Sequence, residues 1–201
     1  SIKGSSLSFQ NIGDYADLGK PWDSNLSAPT WSNNLFSLNF WFRRSEEGFN
    51  WSTEQVSNVM LSLGNEENSS LQLGTKGSSL ELFLKTSGKA FRTSMTAGIQ
   101  NNKWHFVTVC YDAGSSSGDE LVVFLDGAKV GSTSIFSGGL SKGESERWLL
   151  GIAELNNPLL GRFIGNLDDF RIFNKAFSLV DHQRIYGGGR GDLVLSVQAT
   201  Y

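Results

Sequence analysis

The chain has 201 residues, with 17 Lys or Arg against 20 Asp or Glu, so its formal net charge at pH 7 is −3. This mild balance, without a basic cluster, argues against a nucleic-acid partner and against a polybasic membrane-binding segment. No apolar run approaches the ~20 residues that a membrane-spanning helix needs, so we expect no membrane insertion.

The predominant hydrophobic period along the chain is two residues, which is typical of β-strands. In residues 36–43, Phe or Leu occupies every even position, and Ser37, Asn39, Trp41 and Arg43 occupy the odd ones. We therefore expect a half-buried strand whose even positions face the core and whose odd positions form the opposite face.

Similar patterns predict further strands at 59–64, 70–74, 80–85, 104–111, 148–152 and 166–173. Asp126 and Gly127 separate two apolar runs and predict a tight hairpin, because both residue types tolerate positive φ. Ser178, followed three residues later by Asp181, predicts the start of a short helix over 178–185. Residues 193–197 are expected to form a last short strand or a linker.

About a dozen short strands separated by Gly, Ser and Asn turns favour a sandwich or a barrel. We predict an all-β fold: one two-sheet antiparallel β-sandwich of the jelly-roll type, with one short C-terminal helix. No internal boundary is visible, so the sequence predicts a single domain over residues 1–201.

Four stretches, in the expected order, resemble the laminin-G-like branch of the concanavalin A-like lectin/glucanase superfamily: 7–19, 36–43, 102–112 with 125–127, and 165–178. The resemblance implies this jelly-roll fold but no particular ligand, because the fold carries lectins, glycosidases, lyases and adhesion modules. The chain lacks the cysteine pair of animal laminin-G domains, which favours the bacterial branch. Its one cysteine, Cys110, lies in an apolar run and is expected to be buried.

An enzyme is the least favoured function. Glycosidases of this superfamily place carboxylates on one strand in a spacing such as E-x-D-x-x-E, which directs them into one cleft, and no such run occurs. His105 lies in a predicted core strand, His182 lies on the predicted helix, and neither follows a Gln at the spacing of alginate-type lyases. We expect no catalytic residues.

Six residues are candidates for contacts with a sugar: Trp22, Trp31, Asn39, Trp41, Arg43 and Trp51. Three of the tryptophans lie in polar segments, where an exposed indole would stack on the C–H face of a pyranose. The other three candidates share one strand face and would combine stacking with hydrogen bonding. For each loop tryptophan the alternative is a lid over the end of the sandwich. Trp104 and Trp148 adjoin apolar runs and are expected in the core.

Calcium is the favoured ion, because Asp14, Asp17, Asp168 and Asp169 offer hard oxygen ligands. In the resembled fold the first strand lies close to the C-terminal signature strand, so a structural Ca²⁺ would join them. The alternative is that the first two carboxylates belong to turns and the other two close a strand end.

These observations favour a non-catalytic carbohydrate-binding module of a larger secreted or cell-surface protein, whose partner is a glycan or polysaccharide. A protein-interaction or adhesion module on the same fold is the alternative. The first residues carry no signal-peptide pattern, so for an exported protein we expect a removed signal or an excised domain.

Overall fold

The computed structural model describes residues 6–11, 13–20, 34–45, 58–64, 69–86, 89–116, 119–134, 138–141, 146–156 and 161–187. Within these ranges the chain forms twelve strands and one helix. They are β1 (Leu7–Phe9), β2 (Ala16–Asp17), β3 (Leu35–Arg44), β4 (Val59–Gly64), β5 (Ser69–Lys76), β6 (Ser79–Lys85), β7 (Ala90–Thr96), β8 (Trp104–Asp112), β9 (Leu121–Leu125), β10 (Ala128–Thr133), β11 (Arg147–Leu150), β12 (Gly165–Phe173) and α1 (Leu179–Tyr186).

The strands form two six-stranded sheets, which confirms the predicted sandwich. The first sheet has the order β1-β12-β3-β8-β9-β10, and the second has the order β2-β11-β4-β5-β6-β7. Every pairing between neighbouring strands is antiparallel. Consecutive strands β1 and β2 form the edges of different sheets, so the chain crosses from one sheet to the other just after its first strand.

The core lies between the sheets and contains the residues that the alternation predicted. The even positions of β3 (Phe36, Leu38, Phe40 and Phe42) have no exposed surface. Leucines of β4, β5 and β6 face them and are equally buried. Complete burial of one such side chain contributes about 1.5–3 kcal/mol. Trp148 is also buried in this cluster, as expected.

The outer face of the first sheet is covered over part of its area by the segment that contains α1. Ser37 is fully buried, and its hydroxyl donates to the Lys175 carbonyl at 2.6 Å and accepts from the Phe177 amide at 2.9 Å. A second apolar cluster of Cys110, Phe124 and Phe177 lies here. The prediction of a half-buried strand is therefore wrong for the first half of β3, because a distant segment packs on its outer face.

Helix α1 begins as the sequence predicted and docks on the predicted hairpin. Ser178 and Asp181 form a reciprocal capping box at its N-terminus. Asp126 and Gly127 have φ values of 49° and 89°, which a two-residue hairpin turn of this hand requires. The Gly127 backbone amide donates to His182 Nε2, and the Gln183 side-chain Nε2 donates to the Gly127 carbonyl, both at 2.9 Å. The turn therefore holds the helix in place.

In the described part of the chain, no helix has the length and apolar character needed to cross a bilayer.

Candidate functional site

Beyond the end of α1, four residues from four neighbouring strands form a row across the outer face of the first sheet. The strand register places Ser8 opposite Asn166, Asn166 opposite Arg43, and Arg43 opposite Trp104. Residues that are directly opposed on antiparallel strands present their side chains on the same face. We call Ser8, Asn166, Arg43 and Trp104 the outer row.

Arg43 is the central side chain of the outer row. Its Nη2 donates to Asn166 Oδ1 at 2.8 Å, and Asn166 Nδ2 donates to Ser6 Oγ at 3.3 Å. The guanidinium carbon lies 5.5 Å from the centroid of the Trp104 ring, within the range of a cation–π contact. Nε of Arg43 is buried and has no hydrogen-bond partner among the described residues. The arginine is therefore held in one place and retains an unused donor.

The structure corrects the expectation that Trp104 lies in the core. It is partly exposed on the outer face at the start of β8. Residues 105–111 of the same strand are buried, because the core covers one face and the α1 segment covers the other. The near-continuous apolar run has no two-residue alternation, so no local pattern indicated which face the indole would occupy.

The other predicted residues of β3 have different surroundings. Trp41 is partly exposed and packs against both the Phe106 and the Tyr186 ring, at centroid distances of 5.1 Å and 5.7 Å. Asn39 is fully buried, and neither its Oδ1 nor its Nδ2 has a hydrogen-bond partner among the described residues. The structure therefore brings Trp41 and Arg43 to the surface and places Asn39 beneath it. Trp22, Trp31 and Trp51 lie outside the described residues.

A carboxylate joins this surface two residues along β12 from the outer row. Asp168 lies opposite Trp41 and is partly exposed. Burial raises the pKa of its carboxyl above the usual value, although a hydrogen bond from the Asp169 backbone opposes the shift. Arg43 and Asp168 thus place one cation and one carboxyl group on the same face as the two partly exposed indoles.

A β-bulge separates the two adjacent aspartates. The register between β12 and β3 shifts between Asp168 and Arg171, and Asp169 has a φ of 55°. The extra residue allows Phe170 to contact the core, with its ring 6.0 Å from that of Phe40. Asp169 remains in solvent, where both of its carboxylate oxygens accept from Arg171 at 2.7 Å and 2.6 Å.

The other two predicted calcium ligands are also held by the protein. Backbone amides of Asn11 and Gln10 donate to Asp14 Oδ2 and hold the pKa of that carboxyl below its usual value. Asp17 Oδ2 lies 2.6 Å from Arg147 Nε on the second sheet. Among the described residues, no group of three or more His, Cys, Asp or Glu side chains could hold a metal ion. The calcium site stays a prediction.

Both histidines act as structural groups. Nε2 of His105 accepts from the Gln100 amide at 3.2 Å, and Nε2 of His182 accepts from the Gly127 amide. A backbone amide can only donate, so each ring carries its proton on Nδ1. The Nδ1 proton of His105 is directed at Asp126 Oδ2, and that of His182 is directed at Thr108 Oγ1. Burial lowers the pKa of His182 to about 4, despite the nearby Asp126 carboxylate.

Two six-stranded antiparallel sheets, closed by one short helix, define a jelly-roll sandwich. The model of a family described as the concanavalin A-like lectin/glucanases superfamily matches residues 20–181. The chain belongs to this superfamily. No curated protein matches its sequence significantly.

Solved structures share the fold at low sequence identity. The CBM40 domain of a Ruminococcus gnavus IT-sialidase, bound to α2,3-sialyllactose, has a TM-score of 0.70 and 11% identity, covering 91% of this chain and 96% of that one. The NanB sialidase of Streptococcus pneumoniae has a TM-score of 0.66 and 15% identity, covering 90% of this chain and 27% of that one. Domain 4 of the Geobacillus stearothermophilus arabinanase AbnA, in complex with arabinotriose, has a TM-score of 0.55 and 15% identity, covering 76% and 66%. At these identities the likeness concerns the fold alone.

Proposed function

We propose that this chain is a non-catalytic carbohydrate-binding module of a larger secreted or cell-surface protein, and that it binds its glycan at the outer row. The observation that carries the proposal is the placement of Trp104 and Arg43 together on an outer face, beside Asp168. The sandwich domains bound to sialyllactose and to arabinotriose support it as analogies of fold.

The side chains of this surface offer the contacts that a sugar needs. The exposed part of the Trp104 indole would pack on the C–H face of a pyranose. Arg43, held in place by the buried Asn166, would donate hydrogen bonds to hydroxyl oxygens, and the Asp168 carboxylate would accept from hydroxyl groups. Since the surface carries both a cation and a carboxyl group, it suits a hydroxyl-rich ligand that both donates and accepts. A shallow site of this kind gives weak affinity for a single sugar, ~mM to μM.

The surroundings of the two histidines support the non-catalytic assignment. In each ring one nitrogen accepts from a backbone amide, while the other is directed at a side chain of the protein. Neither ring is therefore poised as a general base toward a ligand. The predicted calcium ion and the predicted contacts of Trp22, Trp31 and Trp51 do not enter this mechanism and remain predictions.

A glycan array with the labelled protein tests the proposal, followed by calorimetric titration of the best ligand. We expect Trp104→Ala and Arg43→Gln to weaken binding about fivefold or more, since each removes a contact worth roughly 1 kcal/mol or more. Arg147→Gln is the matched control, because Arg147 has similar exposure but lies on the second sheet. Circular dichroism would verify that each variant is folded.

Three outcomes oppose the proposal. No binding signal on the glycan array, together with capture of a protein partner, would support the adhesion module instead. Glycan binding that survives both outer-row substitutions would place the site elsewhere on the molecule. Depolymerisation of a polysaccharide that is lost on mutation of a single carboxylate would indicate an enzyme.

A further inference from the structure

The outer row continues past the edge of the first sheet into a pocket. A pocket of about 170 Å³ lies at this edge and is lined by Leu7, Ser8, Phe9, Asp14, Tyr15 and Ala16. Ser8 belongs both to the outer row and to the pocket, so the two surfaces are continuous. Tyr15, which is 49% exposed as a residue, contributes an aromatic ring.

The edge of the pocket is held by local hydrogen bonds. The carboxylate of Asp14, next to Tyr15, accepts from the amides of Gln10 and Asn11 at 2.8 Å and 2.7 Å. The Gln10 side chain donates to Ser8 Oγ at 3.2 Å. The turn that carries Tyr15 is therefore fixed relative to β1, so a ligand would meet a preformed surface, which lowers the entropy cost of binding.

The surface is too long for a single sugar. Trp104 on β8 and Ser8 on β1 are separated by three strand spacings, or about 14 Å at ~4.8 Å each, and Tyr15 lies beyond Ser8. A pyranose extends a linear glycan by roughly one strand spacing, ~5 Å. The span from Trp104 to Ser8 therefore corresponds to about three sugar units, and Tyr15, which lines the pocket with Ser8, would meet a fourth.

Between the two aromatic ends the surface is polar. Arg43, Asn166 and Ser8 follow one another from strand to strand. Asn166 is buried and holds Arg43, whereas Arg43 and Ser8 can donate hydrogen bonds to hydroxyl oxygens. An aromatic ring at each end with hydrogen-bonding groups between matches a linear chain of sugars more closely than it matches a flat protein surface.

From this continuity we infer that the site takes a linear oligosaccharide of about four units, which lies across the strands with one end at Trp104 and the other at Tyr15. This inference rests on the proposed function, and it adds the length and direction of the ligand and a role for Tyr15.

Calorimetric titration with a length series of the array-selected glycan, from one to six units, tests it. We expect affinity to rise about tenfold or more between the monosaccharide and the tetrasaccharide and then to level off. Tyr15→Ala should weaken tetrasaccharide binding several-fold and leave binding of the mono- and disaccharide unchanged. Tyr15→Phe should retain the affinity, because it keeps the ring.

Leu18→Ala is the control variant, since Leu18 is similarly exposed near the same edge but does not line the pocket. Equal affinity for all lengths, or an unchanged tetrasaccharide affinity in Tyr15→Ala, would overturn this inference. The proposed function would still stand if glycan binding depended on Trp104. Absence of any glycan binding would overturn both, and the wild-type titration alone would show it.

Discussion

The indole ring of Trp41 stacks on the phenol ring of Tyr186, with centroids 5.7 Å apart and an angle of 29° between the planes. Trp41 lies on β3, and Tyr186 is the last residue of α1. The stack therefore marks the boundary on the outer face between the area that the helix covers and the area that holds the outer row.

Removal of the Tyr186 ring should loosen the end of α1 and expose Trp41. We expect Tyr186→Ala to lower the free energy of unfolding by about 1–3 kcal/mol, since aromatic pairing and packing are both lost. Acrylamide quenching of tryptophan fluorescence should increase, and the increase should disappear in a Trp41→Phe background. Tyr186→Phe retains the stack and should resemble the wild type; equal quenching in all variants would contradict the finding.

His182 should make the fold sensitive to acid. Its pKa lies near 4 in the folded chain against 6.5 for the free group, so the unfolded chain takes up the proton first as the pH falls. The stability that the neutral ring contributes is present above about pH 6.5 and decreases between pH 6.5 and 4, by on the order of 3 kcal/mol in total.

Urea unfolding at pH 7 and at pH 4 measures this loss. In His182→Gln the group no longer titrates, and the glutamine can still accept from the Gly127 amide. We expect a smaller difference in unfolding free energy between the two pH values in this variant than in the wild type. An identical difference would show that other groups account for the acid sensitivity.

At Gly165, next to the outer row, the backbone leaves no room for a side chain. It has a φ of 154°, and a Cβ there would clash with the Arg43 carbonyl and approach the Phe163 ring to 2.8 Å. We expect Gly165→Ala to destabilise the fold by roughly 2 kcal/mol or more, because strain and a backbone clash combine. Gly98→Ala is the comparison: φ is 69° there and the space is open, so the cost should be only ~1 kcal/mol. Thermal unfolding of both variants decides the matter.

Cys110 reports on the area beneath α1. The residue is 2% exposed and packs with Phe124 and Phe177, and burial raises the pKa of its thiol to about 11. We expect no reaction with a disulfide reagent at pH 8 unless the helix segment opens. Ser178→Ala removes the N-cap of α1 at a cost of ~1 kcal/mol, so it should accelerate labelling. Ser94→Ala, on the second sheet, should leave the labelling rate unchanged. Equal labelling rates in Ser178→Ala and the wild type would show that labelling requires global unfolding.

Local patterns in the sequence predicted much of the fold. The two-residue alternation placed Phe36, Phe40 and Phe42 in the core, and the capping box and the Asp126–Gly127 turn were both predicted from neighbouring residues. These features depend on interactions within a few residues, or on the contrast between an apolar and a polar strand face, and both are visible in the sequence itself. The extent of the domain over residues 1–201 stays a prediction.

The candidate site was only partly predictable, because contacts between distant residues shape it. The Gly127 amide and His182 are 55 positions apart, and the cover over Asn39 follows from that docking. The bulge at Asp169 returned Phe170 to the core without any local signal. Trp104 gained its partial exposure from its position at the start of β8, where the helix segment no longer covers the sheet. Arg43 and Trp41 were found because alternation assigned them to the outer face.

A single strand, β3, performs two tasks at its two ends. Near Ser37 both faces of the strand are buried and stabilise the fold, whereas near Arg43 one face is exposed to solvent. Specificity can therefore change separately from folding: a library randomised at Arg43, Trp104 and Asp168 should yield mostly folded proteins, while one randomised at Ser37, Asn39 and Thr108 should not. The molecule is thus a suitable scaffold for selecting new ligand preferences.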